Sequence, residues 1–354
     1  MKDFNEFQPS VPQIEQLSEL IFLSTVQNVE LSTVVTMMGN VKHGKPIGGL
    51  GEIGLIGSLS QGCKEAFEKL KLQGIEKKWD LAEWVVPLEF CYKDYEGTLA
   101  RLSSKPGIAI EDMTADDFMT DIVEPLLREG IRKMLWRFIW FNDTAAKNVA
   151  DGGVITDGVD LKYFTLNDGL FKRIFAIMAS NPSQYVAIAA NAKATAAEQH
   201  ETLYTKGAAT NIMDKMIAAM PPSMIGKKDV SFKMTQGFAS ALSWDLKQNN
   251  YGDLVYTETK EGVKLTKYAG YDVIVLPIWD QMIGEYENLG NGMYNKQYRV
   301  VLCSKGDLLA GTGSKNSLEE FRAGFDEKDG LNWFKAKDTI GTQTLEDDLI
   351  VAAY

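Results

Sequence analysis

The sequence predicts an α+β fold, and three observations carry that prediction. One long, strongly apolar helix stands out at Thr114 to Asn142. Strand-like runs, among them Lys77 to Glu96, Tyr298 to Cys303 and Asn332 to Gln343, are scattered between further helices. The two kinds of element never fall into the regular βαβ alternation of a parallel sheet, and no internal repeat or low-complexity tract imposes another order. With 354 residues, 45% hydrophobic and 24% charged, the chain is long enough for two modest cores.

The long helix organises the rest. Thr114 is placed to cap it, with Asp117 three residues on and Asp116 near the positive end of the helix dipole. Phe118, Ile122, Val123, Leu126 and Leu127 recur on one side, whereas Ile131, Met134, Leu135, Trp136, Phe138, Ile139, Trp140 and Phe141 surround most of the axis. The second half is therefore expected to be buried nearly all round, as core or subunit interface. Glu129, Lys133 and Arg137 leave a polar strip at i,i+4 spacing. Pro125 is expected to bend the rod, which at 1.5 Å per residue is about 40 Å long.

In chain order, residues 1–13 carry Pro9 and Pro12 and little that could build a core of their own. Ile14, Leu17, Leu20 and Ile21 fall at helical spacing, and Leu31 to Met38 reads as a strand from its β-branched content. Gly39 to Gly57 is glycine-rich enough to be a projecting loop. A brief helix at Ala66 to Leu72 precedes Lys77 to Glu96, where Pro87 limits how centrally a strand can sit. Beyond the long helix, Asp151 to Asp168 reads as turns, and helices are expected at Gly169 to Ser180, Gly207 to Met220 and Thr235 to Asn249. Tyr185 to Ala197 is an alanine-rich run. Val230 to Met234 is strand-like, Lys267 to Pro277 a turn and strand, Ser317 to Phe325 helical, and Asn332 to Gln343 with Asp347 to Tyr354 a closing pair of strands.

The chemistry-bearing residues are sparse. A net charge of −11 argues against a surface that grips phosphate backbones. No apolar run approaches the ~20 residues of a membrane helix, and the N-terminal sequence lacks the basic-then-apolar pattern of a signal peptide, so a soluble protein made in a cytoplasm is expected. Cys63, Cys91 and Cys303 have no paired spacing and read as small apolar residues. Gly49 to Gly54 spells GxGxxG, but a dinucleotide site needs a strand running into the first glycine and a helix leaving the last, and Pro46 stands in the way. His43 lies in the glycine loop and His200 in a polar helix end, neither beside a nucleophile. Asp280, Glu285, Glu287, Glu346, Asp347 and Asp348 read as solvated turns or faces. No catalytic, cofactor-binding or metal-ligating residue is assigned, and neither enzymatic activity nor a cofactor is expected. Extended segments cannot bury enough apolar surface alone to offset their ordering entropy, which predicts assembly with neighbours.

The order of pieces resembles the major capsid protein of tailed bacteriophages, the fold type of phage Hong Kong ninety-seven. The segments carrying the closest phrasing, similar to capsid proteins of phages infecting Bacteroidetes, are WVVPLEFCYKDYEGTL, YAGYDVIVLPIWDQMI, YRVVLCSKGDLLAGTG and DDLIVAAY. The resemblance implies an N-terminal arm at 1–30, an extended loop with flanking strands at 31–100, a peripheral domain at 101–190 holding Thr114 to Asn142 as its spine helix, an axial domain at 191–315 and a return to the peripheral domain at 316–354. It also implies a non-enzymatic subunit that forms hexamers and pentamers of an icosahedral shell around double-stranded DNA, without sequence-specific binding and without a membrane. A separate scaffolding protein, a portal and decoration proteins are the implied partners. Some relatives seal the shell with a lysine–asparagine cross-link; Lys42, Lys45, Lys77 and Lys78 lie in the loop region, but no partner is matched to them. The competing expectations are an encapsulin-like nanocompartment shell, a nucleotide-dependent enzyme using Gly49 to Gly54, and an adaptor that stops at a ring or dimer.

Overall fold

The computed structural model describes residues 14, 15, 18, 19, 21, 22, 29–50, 74–90, 124–227, 229–249, 257, 258, 264–290, 292–314, 318–329 and 331–354. Helices and strands are segregated into layers, an α+β arrangement. A seven-stranded sheet runs in the order Tyr185–Val186, Val351–Ala353, Val300–Ser304, Val230–Met234, Tyr271–Val275, Lys264–Tyr268, Thr257–Glu258. Its two faces feed two cores because side chains alternate along a strand. Phe232, Met234, Val273, Val300 and Leu302 pack on one side against helices Ala208–Ala218 and Gln236–Gln248. Ile274, Val301, Cys303 and Ala352 face the other way, into the core built on helix Glu124–Trp140.

The second sheet has five strands. Leu331–Thr344, 14 residues long, pairs antiparallel with Leu308–Thr312 and Glu320–Asp326 along one edge and with Ala82–Phe90 along the other. Thr36–Met38 adds in parallel to Leu308–Thr312. The two sheets are stitched together twice by the same chain. Val300–Ser304 passes through the turn Lys305–Asp307 into Leu308–Thr312, and Leu331–Thr344 passes through Asp347–Leu349 into Val351–Ala353. At this elbow Ser304 and Asp307 form a capping box, and the Leu345 amide donates to the Asp307 carbonyl at 3.0 Å. Burial, with Glu346 nearby, pushes the Asp307 carboxyl up to about 6.

The long helix meets its main expectation. Leu135, Trp136, Ile139 and Trp140 are fully buried, and Ile131, Met134, Phe138 and Phe141 nearly so. Trp140 meets Trp279 edge-on at 4.6 Å and Phe171 at 5.1 Å, geometries that aromatic pairs favour. The helix stops at Trp140, two residues short of the expected end, because Asn142 turns inward to donate to Asn167 Oδ1 at 3.0 Å while Asn167 donates to the Phe138 carbonyl at 3.0 Å. Gly169 then approaches so closely that a Cβ there would lie 2.8 Å from the Trp140 carbonyl carbon. The stretch from Thr114 to Val123, with its capping residues, lies outside the described residues. So do residues 1–13, Leu17, Leu20, Gly51 to Gly57, Ala66 to Leu72, Cys63 and Cys91.

Several expectations are corrected. Leu31 to Met38 is a helix, Val29–Val34, followed by the short strand Thr36–Met38, because Leu31, Val34 and Val35 at helical spacing are drawn into the core. Of the stretch Ser317 to Phe325, expected to be helical, Glu320 onward belongs to the strand Glu320–Asp326, in which Phe321 packs inward opposite Ala336. Glu129 pairs with Arg132 at 2.8 Å instead of with Lys133, since Arg132 is fixed between Glu129 and Glu30 and so fastens Val29–Val34 to the long helix. Leu126, expected on the buried side, is 65% exposed. The closing pair of strands is split between the two sheets, with Val351–Ala353 pairing to Val300–Leu302. The polar helix end expected around His200 is the last part of helix Ala196–Leu203, whereas helix Pro277–Tyr286 was not anticipated. Lys233 is fully buried, donating to Ser231 Oγ at 3.1 Å and to the Cys303 carbonyl at 3.0 Å.

Trp140→Ala removes the largest ring from this all-round contact. It is expected to cost about 3–5 kcal/mol, measured as a shift of the urea denaturation midpoint.

Candidate assembly surface

One buried stripe of the long helix forms the floor of a cleft. Leu127, Ile131, Met134 and Phe138 follow one another at i, i+4, i+7 and i+11, and across from them stands the edge strand Ala82–Phe90. Period-two alternation turns Trp84, Val86 and Leu88 toward the helix and Val85, Pro87 and Glu89 away. The third wall is the turn-rich connection around Tyr163 and Phe164. Together they enclose a predominantly apolar cleft of about 1110 Å³. Leu88 of the strand, Leu126 of the helix and Tyr163 of the connection are all exposed around it. Three large apolar side chains at one cleft form the kind of patch that marks an interaction surface.

Arg137 sits in the wall of this cleft. Its Nε donates to the Tyr163 carbonyl at 3.1 Å, and its guanidinium lies 5.3 to 6.0 Å from the ring centroids of Phe138, Phe164, Tyr163 and Tyr286. Burial lowers its pKa, and among the described residues no carboxylate forms an ion pair with it. An arginine stacked among rings with no carboxylate beside it suits a contact in which a partner supplies an anionic group.

Sheet edges supply a second kind of contact. Ala82–Phe90 pairs only with Leu331–Thr344 among the described residues, which satisfies the edge position that Pro87 requires. The outward face of this sheet is laced by Lys337–Glu83 at 2.9 Å, Arg322–Glu320 at 2.9 Å and Lys335–Glu320 at 3.6 Å. Such exposed pairs contribute little energy each, but they keep an open edge from pairing indiscriminately.

The chemistry-bearing candidates are dispersed. Gly49 lies inside the strand Pro46–Leu50, paired antiparallel with Gly74–Lys78, with Pro46 at the first strand position; Gly51 to Gly54 lie outside the described residues. His43 accepts from the Leu81 amide at 3.3 Å beside Asp80 at the surface, and His200 stacks on Tyr204 at 4.0 Å. Asp280 is not solvated: it accepts from the Gly237 amide at 2.8 Å and from the Gln236 amide, capping helix Gln236–Gln248, and burial raises its pKa. Glu287 is buried in an ion pair with Arg299, whose guanidinium lies 4.5 Å from the Phe171 centroid. Glu285 accepts from Gln281 at 2.8 Å on the exposed side of its helix. Lys77 reaches Asp347 at 2.6 Å and the Thr344 carbonyl at 2.8 Å, tying the root of the loop to the elbow, whereas Lys42, Lys45 and Lys78 are exposed. Asp348 accepts from the Asn181 side chain at 3.4 Å. Glu346 lies close enough to Asp307 to raise its pKa. Cys303 is buried and free. Among the described residues no group of three or more His, Cys, Asp or Glu side chains could hold a metal ion. Sequence reasoning missed Arg137 as an aromatic-boxed cation; the alternation in WVVPLEF was the signal for the cleft wall.

No family model and no curated protein matches the sequence. Comparison of structures does find likeness. The chain superposes on a chain of the satellite phage P4 procapsid including size determination (Sid) protein with a TM-score of 0.53 and 10% identity, over 96% of this chain and 97% of that one. A chain from Gordonia phage Cozz gives a TM-score of 0.50 at 11% identity, over 99% of this chain and 89% of that one. The α+β fold is thus one that occurs in a phage procapsid, and the likeness spans nearly the whole chain.

Asp338 holds the long strand beside this surface. Fully buried opposite Trp84, it accepts from the Thr339 amide at 2.7 Å and from Ser314 Oγ at 3.1 Å, yet burial pushes it up to about 6. A carboxyl whose pKa is raised on folding contributes stability that is present below the unfolded value near 4 and is lost as pH rises through about 6. The stability of Asp338→Asn relative to the unmodified chain is therefore expected to increase between about pH 4 and about pH 7, read from thermal midpoints across that range.

Proposed function

We propose that this chain is a structural subunit of an icosahedral viral capsid, a tailed-phage major capsid protein, which assembles with copies of itself into hexamers and pentamers enclosing double-stranded DNA. The observation that carries the reading is the likeness over 96% of this chain and 97% of a procapsid chain, which leaves little of either for another role. The open cleft beside Leu126 and the strand edge at Ala82–Phe90 support it, because both present groups that another copy could satisfy. The domain division that goes with it is an arm at 1–30, a loop region at 31–100, a peripheral domain at 101–190 with the spine helix, an axial domain at 191–315 and a return at 316–354.

In this reading the protein is not an enzyme. It is made in the host cytoplasm and resides in the virion. A scaffolding protein and a portal are its partners, decoration proteins join the finished shell, and the closer kinship is to phages infecting Bacteroidetes. The acidic balance of −11 suits a wall from which DNA slides freely.

Expression of the chain alone and together with a scaffolding protein, followed by negative-stain electron microscopy, tests the reading. Closed shells of uniform diameter are expected, and a chain that stays a dispersed monomer, dimer or ring under both conditions contradicts it. The packaged content separates a DNA container from an encapsulin-like compartment. Leu88→Glu and Leu126→Glu change exposed residues of the cleft and should each leave stability within about 0.5 kcal/mol while abolishing shells; shells at normal yield would show that the cleft is not an interface.

A further inference from the structure

The cleft beside the long helix has two chemically distinct ends. At one end the Arg137 guanidinium is boxed by the rings of Phe138, Phe164, Tyr163 and Tyr286. Its Nε donates to the Tyr163 carbonyl at 3.1 Å, and the Tyr286 hydroxyl is a further hydrogen-bond partner. Neither is an anion. The other charged groups at the cleft are engaged or turned away: Asp160 pairs with Lys162 at 2.9 Å, Glu83 pairs with Lys337 at 2.9 Å, and Glu89 lies on the outward side of its strand. Among the described residues Arg137 is therefore a cation at the cleft without a carboxylate of its own.

Away from Arg137 the walls turn aliphatic. Met134, Ile131 and Leu127 succeed one another toward the start of the helix, with Val86 and Leu88 on the facing strand. Gly130 lies in the same run. In a helix interior glycine is less favourable than any residue but proline, and here a Cβ would meet nothing within 4 Å. The missing side chain leaves that length of the cleft open. From Leu127 to Arg137 the helix advances about 15 Å, and an all-trans hydrocarbon chain advances about 1.25 Å per carbon at standard bond lengths and angles. A chain of about a dozen carbons spans the distance. At about 1110 Å³ the cleft has room for such a ligand, since small-molecule pockets run from about 300 to about 1,000 Å³.

We infer that the cleft of the free subunit binds an amphipathic monocarboxylate, an alkyl carboxylate of about a dozen carbons, with its head on Arg137 and its tail along Met134, Ile131 and Leu127. The carboxylate takes charge-assisted hydrogen bonds from guanidinium N–H groups that Tyr163 does not use, and the surrounding rings strengthen them by keeping the local dielectric low. A single cation is matched by a single negative charge, which favours a carboxylate over a phosphate monoester. A bound carboxylate and a second copy of the chain exclude one another from the cleft, so binding belongs to the dispersed subunit and does not depend on shell formation.

The test is isothermal titration calorimetry of the dispersed full-length chain with sodium dodecanoate below its micellar concentration, with octanoate and dodecyltrimethylammonium as the comparison ligands. Saturable binding of dodecanoate at a single site is expected. Each methylene added between octanoate and dodecanoate should tighten binding about fourfold, and the ammonium with the same tail should bind at least about tenfold more weakly. Arg137→Gln should weaken dodecanoate at least about tenfold and erase the preference over the ammonium. Gly130→Leu serves if that variant fails to fold: its side chain enters open space, so the thermal midpoint should hold while dodecanoate binding is lost. No binding, equal binding of the two head groups, or undiminished binding by folded Gly130→Leu overturns the proposal.

Discussion

The constraint on which the structure depends is the burial of Met134, Leu135, Trp136, Phe138, Ile139 and Trp140 around most of the axis of Glu124–Trp140. A helix that is apolar around most of its axis cannot simply lie on one sheet; it must be enclosed by several elements. One wall is the seven-stranded sheet through Ile274, Val301 and Ala352, another is the five-stranded sheet through Phe334, Ala336 and Ile340, and the remaining sides are helices Leu170–Ser180 and Pro277–Tyr286. Because strands run continuously from one sheet to the other at Ser304 to Leu308 and Thr344 to Val351, the enclosure closes as one body.

Polar groups buried at the joints have specific partners. The Arg299 guanidinium, 1% exposed, meets Glu287, the Asn295 and Lys296 carbonyls and the face of Phe171, so the turn at Asn295 and helix Pro277–Tyr286 are locked to helix Leu170–Ser180. Removing one partner of such a pair leaves an uncompensated charge, which costs far more than the intact pair contributes. Lys233 is satisfied within its own sheet, and Asp280 spends its carboxylate on a helix N-terminus. Among the described residues these carboxylates and amines hold elements together and do not converge on one reaction centre.

Much of this was legible in the sequence, and the failures have physical reasons. The encircling pattern from Ile131 to Phe141 could only mean enclosure, and Val230–Met234 was readable because its flanks are sharp. Val29–Val34 and Glu320–Asp326 misled because their local spacing fits either period; burial of Leu31 and Val34 goes with a helix in the first, and pairing with Leu331–Thr344 makes the second a strand. The cleft was half visible. Pro87 and the alternation of Trp84, Val86 and Leu88 marked an edge strand with an apolar side, but the helix gave no sign that Leu126 would face outward while Leu127 turned in. Arg137 read as one member of a polar strip; only the folded connection through Tyr163 and Phe164 brings rings around it.

The surface that remains is a cleft with apolar walls, a boxed cation and, among the described residues, an unpaired strand edge, all beside the long helix. Hydrogen–deuterium exchange on the free subunit and on the assembled particle reads this surface most directly. Slower exchange after assembly across Ala82–Phe90 and in the connection around Tyr163, with Trp136 to Trp140 slow in both states, is the predicted result. Unchanged exchange along that strand and connection in a closed particle would contradict the account.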